Sequence, residues 1–274
     1  MRTDKKPNSF PAHLLAMVLL GSAIIGICII PACGRSPDLA MTQKFQEAQD
    51  RFNNATSAAE FLETACLYEQ IIDQGLVCGA LYYNLGNAYM QADQKGHAVA
   101  AYRQAKRFLP RNPFLDANLR FALGSDSFEK QKTHLIDHVL FWQDWLSYPE
   151  KIEITLLMAG ISLSFALIAL MRRYRKLWKR LTLVALIITV VAMSSAGYDY
   201  YRFEILKNGV VIKDHVIARK GNSETYEPSF TNTLTEGTEF RVKDMDSRQA
   251  WILIQLKEGP AQEGWIRADE AVLY

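Results

Sequence analysis

The sequence predicts a multi-domain membrane protein in which α-helical hairpins, two transmembrane helices and a small all-β barrel follow one another along the chain. Three observations carry this expectation. Aromatic, Leu-Gly and Ala positions recur at helical spacing within residues 40–126, apolar runs at 152–171 and 181–197 flank a basic stretch, and beyond Tyr201 the apolar pattern shortens to strand-like runs. In a chain of 274 residues those apolar runs divide the remainder into small domains. The formal charge of +2 gives the whole molecule no nucleic-acid signature, and its basicity is local.

Residues 1–33 open with Arg2, Lys5 and Lys6 and run apolar from Leu14 to Ile30, the charged and apolar regions of an export signal. The run is long for a cleaved signal and barely enough for a span. Ile30-Pro31-Ala32-Cys33 resembles a bacterial lipobox with Pro31 as its departure, which makes Cys33 a candidate for lipidation. A cleaved signal peptide, a lipoprotein signal and a retained anchor all remain open.

In 40–126, Tyr82, Leu85, Gly86, Tyr89, Ala98, Tyr102, Ala105 and Pro110 follow the spacing of a tetratricopeptide (TPR) helix hairpin, a module that binds other proteins. Tyr68 to Tyr102 and Ile71 to Ala105 are each 34 residues apart, so a degenerate hairpin precedes the clear one, its turn falling in the polar stretch Asn53 to Ser57. Gly86 and Ala98 are small where the paired helices cross, and Pro110 ends the second helix. Pro113 to Leu123 repeats the first-helix register and reads as a capping helix. The TPR resemblance implies a concave groove lined by the first helix of each hairpin. On that register Asn84 would bond the backbone of a bound segment, with Tyr83, Asn87 and Asn118 on the same face. The alternative is that these are solvated helix residues.

Residues 134–151 carry Leu135, Val139, Trp142 and Trp145 near helical spacing, an amphipathic interfacial helix approaching the membrane. His134 and His138 lie four apart on one face but lack an acidic or cysteine partner, so they read as interface residues rather than metal ligands. Ile152 to Met171 has the length of a transmembrane helix, and Leu181 to Gly197 is a shorter one. The loop 172–180 between them holds Arg172, Arg173, Arg175, Lys176, Lys179 and Arg180, which the positive-inside rule places in the cytoplasm. Both larger domains then lie outside, whatever the fate of residues 1–33.

In 202–274, short runs at Gly209, His215, Thr238, Trp251 and Gly264 are broken by turn residues. Leu234, Gly237, Phe240, Val242, Trp251 and Gly264-Trp265-Ile266 resemble a bacterial SH3 domain. That resemblance implies binding of cell-wall peptide or protein, with Trp251 as the candidate platform, open between binding and packing, and Trp265 expected in the core. Gly221 to Thr233 corresponds to the variable loop where such barrels bind.

No C-x-x-C, nucleophile motif, phosphate loop or paired-carboxylate setting occurs, so the sequence predicts neither an enzyme nor a cofactor site. Cys28 lies in the apolar leader. Cys66 and Cys78 are expected to be free and mostly buried, since helix geometry keeps them apart.

Leu81-Tyr-Tyr-Asn-Leu-Gly-Asn-Ala-Tyr89 and the order of the domains resemble the TPR-containing members of the Bacteroides aerotolerance (Bat) system over nearly the full length. The resemblance implies a non-enzymatic scaffold of the bacterial inner membrane, with its TPR and SH3-like domains in the periplasm. Its implied partners are von Willebrand factor A domain membrane proteins and, indirectly, a MoxR-type AAA+ ATPase, in envelope-stress tolerance. The rival expectation is a peptidoglycan-binding sensor or anchor acting through the SH3-like domain.

Overall fold

The computed structural model describes residues 39–124, 142–170, 175–257 and 262–274. The leader with Cys28 and Cys33, the pair His134 and His138, and Arg172 and Arg173 lie outside the described residues. The described chain forms helices and one five-stranded antiparallel sheet, divided between two compact units.

The larger unit begins with five helices: α1 (Leu39–Asn54), α2 (Ala58–Asp73), α3 (Gly79–Gln91), α4 (Lys95–Lys106) and α5 (Pro113–Leu123). The polar stretch between α1 and α2 is a start signal: the Ser57 hydroxyl accepts from the Glu60 N–H, while the Glu60 carboxylate accepts from the Ser57 and Thr56 N–H groups. Gly75 leaves α2 at φ 92°, a left-handed turn that a side chain would strain. Asn112 caps α5 by accepting from the Phe114 and Leu115 N–H groups, with Pro113 in the first turn, where it loses no hydrogen bond.

Each helix packs on the next. Gly86 of α3 lets α4 come close, since an added Cβ would lie against the Tyr102 ring of α4. Around it Tyr68, Leu81, Leu85, Ala98, Tyr102, Leu115 and Leu119 form the buried helical core. Of the two cysteines among the described residues, both free, Cys78 is half-buried and Cys66 is exposed. Burial was expected for both, but Cys66 sits on the α2 face opposite the buried Thr64, Ala65 and Tyr68.

The sheet follows: β1 (Asn208–Val211), β2 (Glu239–Met245), β3 (Trp251–Leu256), β4 (Glu263–Arg267) and β5 (Ala271–Leu273), in the spatial order β4-β3-β2-β1-β5. Alternation sends Val211, Phe240, Ile252, Ile254 and Ile266 to one face, where they meet Val216, Ala218 and Leu234. The run expected as a strand at His215 makes only isolated bridges, Val216 to Leu234 and Arg219 to both Pro228 and Trp265. His215 itself sits at φ 61°, incompatible with a continuous strand.

The helical and β segments, read from the sequence as separate domains, belong to one unit. Val210, on the other face of β1 from Val211, joins the helical core, and Tyr274 packs against the same cluster. An added Cβ at Gly96 of α4 would lie 2.5 Å from the Val211 carbonyl oxygen, so a glycine is needed for α4 to approach β1 this closely. The short helix α6 (Trp142–Trp145) also lies in this unit. Leu146 and Ser147 interrupt what the sequence suggested as one amphipathic helix through 151, and a new helix starts at Tyr148.

The smaller unit holds most of α7 (Tyr148–Ala169) and α8 (Arg175–Tyr200), both long and apolar enough to cross a membrane. At 1.5 Å per residue they extend about 33 and about 39 Å. Arg175 to Arg180 belong to α8 rather than to a loop, because Lys and Arg favour helix and no Gly or Pro interrupts them. Hydroxyls within these helices turn back on their own backbone, Ser164 donating to the Gly160 carbonyl and Thr189 to the Ala185 carbonyl, which satisfies them without water. A π-helical turn, Tyr201–Ile205, continues α8 toward β1.

Candidate functional site

The four helix residues singled out from the sequence are all half-buried in the structure. Three of them meet. The Asn118 amide of α5 donates to the Asn87 carbonyl oxygen at 2.9 Å and to the Tyr83 hydroxyl at 3.2 Å, both on α3. The Tyr102 hydroxyl of α4 donates to the same Asn87 oxygen at 2.9 Å, and its ring lies 6.2 Å from that of Tyr83. Asn84 points the other way along the array and donates to Gln49 of α1 at 2.8 Å.

Amide-bearing side chains of α1, α3 and α5 are thereby linked from helix to helix on every second helix of the array. The underlying spacing is visible in the chain, since Gln49 and Asn84 are 35 residues apart and Asn84 and Asn118 are 34. An amide side chain has two donors and an acceptor, so one or two bonds leave each residue able to take another partner at its exposed edge. Beneath the row the Tyr68 hydroxyl is buried without a hydrogen-bond partner. Burial pushes it up to about 12, with the nearby Asn84 amide opposing.

A second polar cluster ties α4 to the sheet, and sequence reasoning did not find it. Glu239 of β2, 10% exposed, accepts from Arg103 Nε at 2.8 Å and Nη2 at 2.5 Å, from Lys257 Nζ at 3.5 Å and from the Tyr274 hydroxyl. Burial favours the neutral acid, but the Arg103 and Lys257 charges outweigh it and hold Glu239 below the usual carboxylate range. Burial pushes Lys257 down to about 8, Glu239 only partly offsetting it and Arg103 adding like-charge repulsion. At the start of α4 the Gly96 N–H donates to the Glu236 carboxylate at 2.7 Å. The N-cap Gln94 makes no such bond, so the charge favoured at this helix N-terminus comes from the segment before β2.

On the sheet, Trp251 and Trp265 are both half-buried on the face opposite Ile252, Ile254 and Ile266. Trp265 was expected in the core; Gly264 and Ile266 are the inward residues of β4, and alternation turns Trp265 outward. Register pairs Trp265 with Leu253 and Trp251 with Arg267, which gathers two indoles and a leucine on one surface. The Gly221 to Thr233 segment is held beside it by Arg219, whose backbone bridges Trp265 and whose guanidinium donates to the Tyr226 carbonyl.

Among the described residues no group of three His, Cys, Asp or Glu side chains is placed to hold a metal ion. No family model, no curated protein and no solved structure matches the chain.

Proposed function

We propose that the chain is a non-enzymatic membrane-anchored scaffold that holds protein segments along the face formed by α1, α3 and α5. The observation that carries this reading is the row of half-buried amides, Gln49, Asn84, Asn87 and Asn118, bonded across every second helix at the repeat spacing. An extended segment lying across that row would meet donors and acceptors at helix-to-helix intervals, which suits main-chain recognition. The helix array is taken as TPR-like and the sheet as SH3-like.

α7 and α8 serve as the membrane anchor, with the Arg- and Lys-rich stretch 172–180 on the cytoplasmic side and both ends of the larger unit in the periplasm of a bacterial inner membrane. The likeness to the Bat system names the partner class: von Willebrand factor A domain membrane proteins, with a MoxR-type ATPase acting across the membrane. The test is co-purification from membranes with the Tyr83→Ala, Asn84→Ala double variant. Recovery of the partner falls if the row binds it, whereas unchanged recovery removes the row from the account.

One observation favours a second reading. Trp251, Leu253 and Trp265 form a half-exposed aromatic surface of the kind that receives sugars and peptides, which suits a peptidoglycan-binding sensor or anchor. Because the sheet shares its packing with α4, the full chain is the proper material. Retention on purified wall that Trp251→Ala abolishes favours the sensor, and no retention of the unsubstituted chain rejects it.

A further inference from the structure

Between α4, α5, the turn after α8 and the ends of β1 and β3 lies a cavity of about 740 Å³, within the size range of small-molecule sites. Seven of its lining side chains are Arg or Lys and three are Asp, and with Glu204 and Glu239, which bond lining cations from behind the wall, the carboxylates still number only five. Internal pairing does not remove the excess. Lys106 pairs with Asp116, Arg107 with Glu204 and Arg202 with Asp144, but Arg103 and Lys257 share the single carboxylate of Glu239. The guanidinium of Arg241 on β2 has neither a hydrogen-bond nor an ion-pair partner among the described residues, and Arg107 Nε is buried without an acceptor.

We propose that this cavity binds a phosphate-bearing anion, the chemistry offered both by an anionic phospholipid headgroup and by free phosphate. Arg241 and Lys257 approach from the sheet and Arg107 from the helices, so oxygens on different sides of a tetrahedral phosphate would each find a charged donor. The rest of the wall points to the lipid as the source. Leu146 lies just before the start of α7, and Phe203 and Leu206 just after the end of α8, which sets apolar side chains at the points where the chain enters and leaves its two apolar helices. A glycerol and the first acyl carbons would cover these residues, and free phosphate would not. This inference stands apart from the scaffold reading, since it uses neither the amide row nor the aromatic surface.

The test is thermal unfolding of the full chain in an uncharged detergent, titrated at constant ionic strength with dihexanoyl-phosphatidylglycerol, dihexanoyl-phosphatidylcholine or inorganic phosphate. A saturable rise in melting temperature with the phosphatidylglycerol alone supports the lipid source, and an equal rise with inorganic phosphate supports the soluble one. In both cases Arg241→Gln, at an exposed and unpaired residue, should leave the unliganded melting temperature unchanged and weaken the apparent affinity about tenfold, as expected for one lost charge-assisted hydrogen bond. Lys213→Gln, whose charge is paired with Asp269 away from the cavity, should leave the affinity unchanged. The proposal is overturned by no saturable rise with either phosphate source, by an equal rise with phosphatidylcholine, or by equal effects of Arg241→Gln and Lys213→Gln.

Discussion

Arg103 of α4 and Glu239 of β2 grip each other through two parallel hydrogen bonds of 2.8 and 2.5 Å, across 136 residues of sequence that include both apolar helices. The helical array and the sheet therefore become one unit through a charged pair set beside an apolar contact. Glu239→Gln should cost more than Arg103→Met, because it leaves Arg103 and Lys257 with no carboxylate, whereas Glu239 without Arg103 keeps Lys257 and Tyr274. Removing one partner of a buried pair typically costs about 3–5 kcal/mol. Thermal unfolding of the two variants in detergent checks the order.

Gly86 and Gly96 separate crossing from docking. Gly86→Ala places a methyl against the Tyr102 ring and should loosen the α3–α4 crossing, at about 1–3 kcal/mol for overpacking. Gly96→Ala meets the Val211 carbonyl and the Ile212 backbone instead, so it should free β1 from α4 while leaving the helices folded. Hydrogen exchange distinguishes them: faster exchange in α3 and α4 for the first, and faster exchange in β1 and β5 with helix protection retained for the second.

Acid should destabilise the larger unit in two windows. His97 is half-buried beside Tyr89 with its Nδ1 shut off from solvent, and burial lowers it below 6.5 despite the opposing charges of Glu69 and Glu236. Its unfolded form takes up a proton first, so stability falls as pH drops from about 6.5 toward the lower folded value. Glu239, held below 4.5 in the folded chain, contributes stability above that value that is lost as pH falls through the folded one. Melting temperature against pH should lose its upper acid limb in His97→Gln and its lower limb in Glu239→Gln.

Much of the helical packing could be read from the chain, because a fixed 34-residue offset and a Gly beside an aromatic are local signals of repeated crossings. The same offset brought Asn84, Asn87 and Asn118 to one face, although it could not say that Asn84 bonds backward to Gln49 while Asn87 bonds forward to Asn118. The apolar helices were legible from length alone, but their ends were not: α8 extends back to Arg175 and forward past Gly197 to Tyr200, since neither flank holds a proline and one glycine is too weak to end a helix of this length. Runs at β1 to β4 appeared as alternation. β5, only Ala271–Leu273, is too short to alternate visibly, and His215 hid a left-handed backbone within an apolar run. The joint between α4 and the sheet was invisible because Arg103, Gly96, Glu236 and Glu239 are each ordinary in their own segments and acquire meaning only across the fold.

The central claim, that the face of α1, α3 and α5 holds a protein segment, is tested most directly by site-specific photocrosslinking in intact cells. A photoreactive residue replaces Tyr83 in one strain and Glu63, exposed on α2, in another, and adducts are identified by mass spectrometry after membrane solubilisation. The account predicts adducts with von Willebrand factor A domain membrane proteins from position 83 and none from position 63. Absence of protein adducts at position 83, or the same adducts from both positions, would contradict it.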